Sequence, residues 1–150
     1  MPRNLTAHFI NLRPGQFLIT SQESVDYNCI AWAGNDNSNW WSPVGKYYWP
    51  EGVPREETVQ AYVRAFASIG FEPCENGDLE PGIEKVALFV DGNRIPVHMA
   101  RQLANGRWTS KLGEWEDIEH VLEGLSGTPG YGTVMQFLRR HVEGTTPSKS

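Results

Sequence analysis

The sequence predicts a single α+β domain: a short helix and a longer one, then a small antiparallel sheet, then two C-terminal helices. Three observations predict it. Val59, Tyr62, Val63, Phe66 and Ile69 recur at helical spacing between Pro54-Arg55-Glu56-Glu57 and Gly70, with proline and acids suited to a first turn and glycine to a helix end. Residues 85–112 alternate apolar runs with the turn signals Asp91-Gly92-Asn93 and Ala104-Asn105-Gly106, as hairpins do. Residues 114–142 carry apolar positions three and four apart, the spacing of amphipathic helices.

Taken in order, residues 1–24 read as an N-terminal arm or edge strand, with apolar runs at 7–12 and 16–20 separated by Pro14-Gly15. His8 in this arm has no charged neighbour and reads as a packing or surface histidine. Asp26-Tyr27-Asn28-Cys29-Ile30-Ala31-Trp32-Ala33 follows, with Asp26 or Asn28 as N-cap and Cys29 in the first turn of a helix. Trp40, Trp41, Tyr47, Tyr48 and Trp49, interrupted by Pro43 and Gly45, fit a structured loop. That loop either packs over the core or walls a substrate cleft.

The helix after Pro54 is core scaffold. Residues 85–90 read as a buried strand, 95–103 as a second with His98 near its start, and 107–112 as a third, together an antiparallel meander. Alternation puts His98, Ala100 and Gln102 on one face and Met99, Arg101 and Leu103 on the other. Glu114, Glu116 and Asp117 suit the first turn of a helix with Trp115, Ile118, Leu122 and Leu125 inward and His120 facing solvent; Gly124 to Gly130 breaks it. Residues 131–142 read as a last helix with Val134, Phe137 and Leu138 inward and Arg139, Arg140 and His141 near its C-terminal end, where cations are favoured. Residues 144–150 read as a frayed tail.

Hydrophobic residues at 39% and charged residues at 21% describe a globular chain, long enough at 150 residues to bury a core without staples. A net charge of -5, with none of the 13 Lys and Arg in a run, argues against nucleic acid as a partner. No apolar run approaches a bilayer's thickness and no signal peptide is visible. With Cys29 and Cys74 the only cysteines, this points to free thiols in a cytoplasmic setting, with export by a signal-independent route, and with it a Cys29–Cys74 disulfide, as the alternative. No ligand spacing typical of zinc is present and no cofactor is implied.

The chemistry centres on Cys29. Backbone N–H groups at a helix start favour thiolate, and a nucleophilic thiol needs a neighbouring base. Cys74 lies among Glu72, Pro73 and Glu75, where thiolate is disfavoured. A helix-start cysteine, a connecting helix and a histidine opening the second strand of a sheet resemble the papain-like cysteine peptidase and amidase superfamily, in particular its compact NlpC-type branch. The local match is the strand-turn-strand His98-Met99-Ala100-Arg101-Gln102-Leu103-Ala104-Asn105-Gly106-Arg107-Trp108-Thr109-Ser110. The chain as a whole is also similar to a bacterial domain family of about this size.

The resemblance implies a papain-like core, Cys29 as nucleophile, His98 as its base and Ser110 at the orienting position, where the family more often has His, Asn, Gln or an acid. Thr109, Gln102, Asp117 and His120 are alternative orienters. Asn28 or Tyr27 would assist the Cys29 amide in holding an oxyanion, Trp40, Trp41 and Trp49 would line the substrate, and Lys111, with Arg107 near it, would either recognise a carboxylate or be solvated. The expected activity is hydrolysis or acyl transfer at an amide bond of a peptide, a peptidoglycan or a protein glutamine side chain, as in a bacterial effector or toxin domain. A non-catalytic interaction module using residues 40–49 is the alternative. Oligomeric state is not legible.

Overall fold

The computed structural model describes residues 4–142 and is built on one seven-stranded sheet. Its strands are β1 (Leu18–Ile19), β2 (Glu72–Cys74), β3 (Ile83–Val90), β4 (Pro96–Gln102), β5 (Trp108–Lys111), β6 (Asp117–His120) and β7 (Thr133–His141). All neighbours are antiparallel, in the order β1-β6-β5-β4-β3-β7-β2. The predicted meander is present as β3, β4 and β5. Val86 to Val90 are all buried because β3 lies between β4 and β7 with both faces covered, so this strand reads as a continuous apolar run.

There are two α-helices, α1 (Cys29–Ala33) and α2 (Val59–Ala67). Asn28 caps α1, its side chain accepting the Ala31 N–H, and Thr58 caps α2 by accepting that of Ala61. Helix α2 therefore begins at this cap rather than at Pro54, and it buries Ala61, Tyr62, Ala65 and Phe66.

The α+β, papain-like architecture with extra C-terminal helices is not what the chain adopts; the fold is β-rich, because the last third is strand. Residues 131–142 form β7 instead of a helix. The pairing of β3 with β7 shifts register between Leu88 and Phe89, passing from Gln136 to Val134. This bulge inserts one residue and brings Val134 and Phe137, three apart, to the same face while Leu138 packs on the other. A bulged strand with apolar side chains on both faces thus imitates helical spacing. The segment 114–125 imitates it differently: Trp115 in a turn, Ile118 in β6, and Leu122 and Leu125 in a 3-10 turn (Leu122–Leu125) all reach one layer.

The sheet carries a layer on each face. On one, α1, α2, Trp41 and Trp49 pack with Val86, Leu88, Met99 and Leu138. On the other, Ala87, Phe89, Ala100 and Trp108 meet Tyr131, Val134 and Phe137, and Leu5, Phe9 and Leu12 of the N-terminal segment cover Leu112, Ile118 and Leu125. The N-terminal arm is a 3-10 turn (Leu5–Ala7) and the edge strand β1. No helix of the described residues is long and apolar enough to cross a membrane. The expected tail at 144–150 lies outside the described residues.

Candidate active site

Cys29 opens α1 as predicted, half-buried against the helix-side core. Strands β4 and β5 pair only at Arg101↔Thr109 and Gln102↔Trp108. Beyond those pairs the backbone N–H groups of Met99, of Ile30 and of Cys29 itself act on the Cys29 sulfur in the direction that favours thiolate. Burial nevertheless dominates and pushes the thiol above its ordinary range, the three N–H groups and the Lys111 charge offsetting it only in part. The expected thiolate-favouring effect of the helix start is therefore outweighed, since α1 has five residues and sums few peptide dipoles.

His98 sits on β4 immediately before Met99, with its side chain directed, by strand alternation, to the opposite face of the sheet. There it is 1% exposed, stacked on Tyr131 with ring centres 4.0 Å apart and planes 3° from parallel, and edge-on to Phe89 at 5.4 Å. Its Nε2 meets Ser110 Oγ at 2.9 Å, and Ser110 Oγ meets His120 Nε2 at 2.8 Å. His120 Nδ1 contacts the Val121 carbonyl at 2.6 Å. Ser110 and His120 are fully buried, and His98 Nδ1 is a buried nitrogen with no hydrogen-bond partner. Burial, reinforced by His120, holds the His98 pKa well below the usual histidine value, and burial brings His120 down to about 4. At neutral pH the resting state is thiol and neutral imidazoles, not an ion pair.

Ser110, the expected orienter, thus does contact His98. Among the alternatives His120 joins through Ser110, buried on β6 and not at a solvent-facing helix position. The others are occupied elsewhere: Thr109 Oγ1 accepts the Trp32 indole N–H at 3.0 Å, Gln102 donates to the Gly77 carbonyl at 2.6 Å, and Asp117 Oδ2 accepts the Tyr27 hydroxyl at 2.7 Å. Signals for His120 were present in the alternation Asp117-Ile118-Glu119-His120, which as a strand puts Ile118 and His120 on one buried face. Tyr131 had no signal, because its contact depends on a distant loop.

The remaining predicted site residues serve the scaffold. Asn28 uses its amide on Ala31 N–H and on both the N–H and the carbonyl of Trp41. Tyr27 is engaged with Asp117, and burial pushes its hydroxyl up to about 12. Lys111, instead of meeting solvent or a substrate carboxylate, is buried over the Tyr27 ring and donates to the carbonyls of Ser24, at 2.6 Å, and Gly113.

Trp41 and Trp49 are core residues, packed on Phe66 and Tyr62, whereas Trp40 is half-buried against Tyr47. Arg55 donates to carbonyls at Ser42, Gly45 and Tyr47, knitting the aromatic loop together. Arg107 pairs with Glu119 at 2.8 Å, and His8 packs edge-on to Trp115. His141 ends β7 and is exposed, rather than lying near a helix end. Both cysteines are free thiols. Among the described residues no three His, Cys, Asp or Glu side chains gather into a set able to hold a metal.

A family model described as "Domain of unknown function (DUF7689)" matches residues 18–139, a span that includes Cys29, His98, Ser110 and His120. The chain belongs to this family. No curated protein and no solved structure matches it.

Proposed function

We propose that this member of a family without an assigned activity is a cysteine-dependent hydrolase or acyltransferase acting on an amide bond of a peptide, a peptidoglycan or a protein glutamine side chain. The observation that carries the reading is the unpartnered, buried Nδ1 of His98, on the residue next to Met99, whose backbone N–H favours the thiolate form of Cys29. A buried nitrogen without a partner costs stability, and such a cost is carried at sites where function needs the atom free. A general base needs a free lone pair.

Because the thiol and the imidazole lie on opposite faces of β4 and His98 Nδ1 has no protein partner, in this mechanism the Cys29 proton passes to His98 Nδ1 through one water and the sulfur attacks the amide carbonyl carbon, forming the C–S bond. Charge on the carbonyl oxygen is held by backbone N–H groups at the start of α1. The imidazolium returns its proton to the departing amine as the C–N bond breaks, leaving a thioester. Water or an acceptor amine then cleaves that thioester, His98 taking its proton and the thiol being restored. With both groups neutral at rest, proton transfer accompanies attack rather than preceding it.

The test is acylation of Cys29 by 4-nitrophenyl acetate at pH 7, read as nitrophenolate release and as the mass of the acyl-protein. His98→Ala should slow it by about 100-fold, the usual worth of a positioned base, and Cys29→Ser should abolish the Cys29 adduct. An equal rate in wild type and His98→Ala overturns the reading. Muropeptides and a glutamine peptide, assayed for released amine or ammonia, then distinguish the substrate classes.

A further inference from the structure

We infer that His120, acting through the Ser110 hydroxyl, is a positioning residue that fixes the tautomer of His98 so that Nδ1 carries the lone pair. The inference deepens the reading of Cys29 and His98 as a catalytic pair, and it follows from donor and acceptor bookkeeping along one buried chain. The Val121 carbonyl can only accept a hydrogen bond, so His120 Nδ1, 2.6 Å away, must be the protonated nitrogen. In a neutral imidazole the other nitrogen is then an acceptor, so His120 Nε2 receives the Ser110 O–H at 2.8 Å. Having given its only proton, Ser110 Oγ must accept from His98 Nε2 at 2.9 Å. His98 therefore carries its proton on Nε2, and Nδ1 is left bare. A backbone carbonyl two strands away thus sets which nitrogen of His98 is basic.

Three elements hold the chain in register. Ser110 on β5 pairs with Ile118 of β6, while His120 lies opposite Trp108, so Ser110 and His120 share a face with His98 of β4. The Tyr131 ring, stacked at 4.0 Å, prevents the imidazole from turning over to exchange its nitrogens. The serine at the orienting position is thus not a weakened substitute for histidine or asparagine. It relays the polarity of a histidine one strand further on.

The experiment reads the tautomer directly. Two-bond 1H–15N correlation of the His98 ring at pH 7.5 should show a protonated-type shift at Nε2 and a bare-nitrogen shift at Nδ1 in wild type. In Ser110→Ala and His120→Phe the preference should fall to a mixture or invert. His120→Gln, whose amide oxygen can take the Ser110 proton, should retain it. Acylation by 4-nitrophenyl acetate should fall at least tenfold in the first two variants and recover in the third.

A wild-type His98 protonated on Nδ1, or a tautomer unmoved by both Ser110→Ala and His120→Phe, overturns the inference. If His120→Phe does not fold, Ser110→Ala decides. If the tautomer behaves as described but wild type shows no His98-dependent acylation, the catalytic reading fails while the tautomer assignment stands.

Discussion

Lys111 shows how burial turns a residue type from one use to another. On a solvated strand it would be a cation free to meet a substrate; here it is fully buried, and its donors are used on the Ser24 and Gly113 carbonyls. Its charge is still felt by the thiol, lowering a pKa that burial raises. Lys111→Met should therefore move the iodoacetamide alkylation profile of Cys29 to higher pH, because removing a positive charge disfavours thiolate. An unmoved or lowered profile would refute that coupling. Asn28→Ala removes the cap of α1 and leaves the Trp41 backbone groups unpaired; urea unfolding should register a loss of about 2–4 kcal/mol.

The element that governs His98 is the loop from residue 126 to 132. Gly127 and Gly132 exchange backbone hydrogen bonds of 2.7 and 3.1 Å, and Tyr131 N–H is held by the Leu125 carbonyl at 2.7 Å. Gly132 has φ +78°, and a Cβ there would overlap the Val90 carbonyl oxygen, so the position admits no side chain without moving β3 or the loop. Gly132→Ala should destabilise the protein by more than the roughly 1–3 kcal/mol of its backbone conformation alone. The same substitution should also broaden the His98 ring signals as Tyr131 loses its seat; an undisturbed ring spectrum would detach the loop from the site. Strand β7 has a comparable dependence on Leu138, buried against Val86. Leu138→Ala should cost about 2–5 kcal/mol by denaturant titration.

At the scale of the whole molecule, the sheet divides the candidate site between two layers, with the thiol held by the helix side and the imidazole chain by the other. Two histidines buried neutral inside one domain have a thermodynamic consequence. A histidine whose folded pKa is depressed binds its proton more readily when unfolded, so its stability contribution is complete above the unfolded value of about 6.5 and is lost as pH falls toward the folded value. For His120, brought down to about 4, this loss is on the order of 3 kcal/mol between pH 6.5 and pH 4, and His98 adds to it in the same direction. Thermal unfolding followed between pH 7.5 and 4 should show a steep fall in Tm that is shallower in His120→Gln; equal slopes would mean that His120 is not buried neutral.

The sequence by itself determined the local features: a cap at Asp26 or Asn28 with Cys29 at the helix start, the amphipathic face of α2, the meander across residues 85–112 and the placement of His98 and Ser110 on neighbouring strands. These follow from capping, from the period of apolar side chains and from turn chemistry, all of which act over a few residues. Only the tertiary structure decided that 131–142 is a strand, because a bulge against β3 gives Val134 and Phe137 helical spacing and because apolar side chains on both faces, Phe137 on one and Leu138 on the other, blur the polar alternation of a half-exposed strand. It also decided the protonation chemistry. The buried chain from Val121 through His120 and Ser110 to His98 joins residues of three strands, and the raised thiol pKa of Cys29 arises from the core packed around it. Desolvation and hydrogen-bond partnership depend on what the fold brings near a residue, and no local pattern in the chain records that.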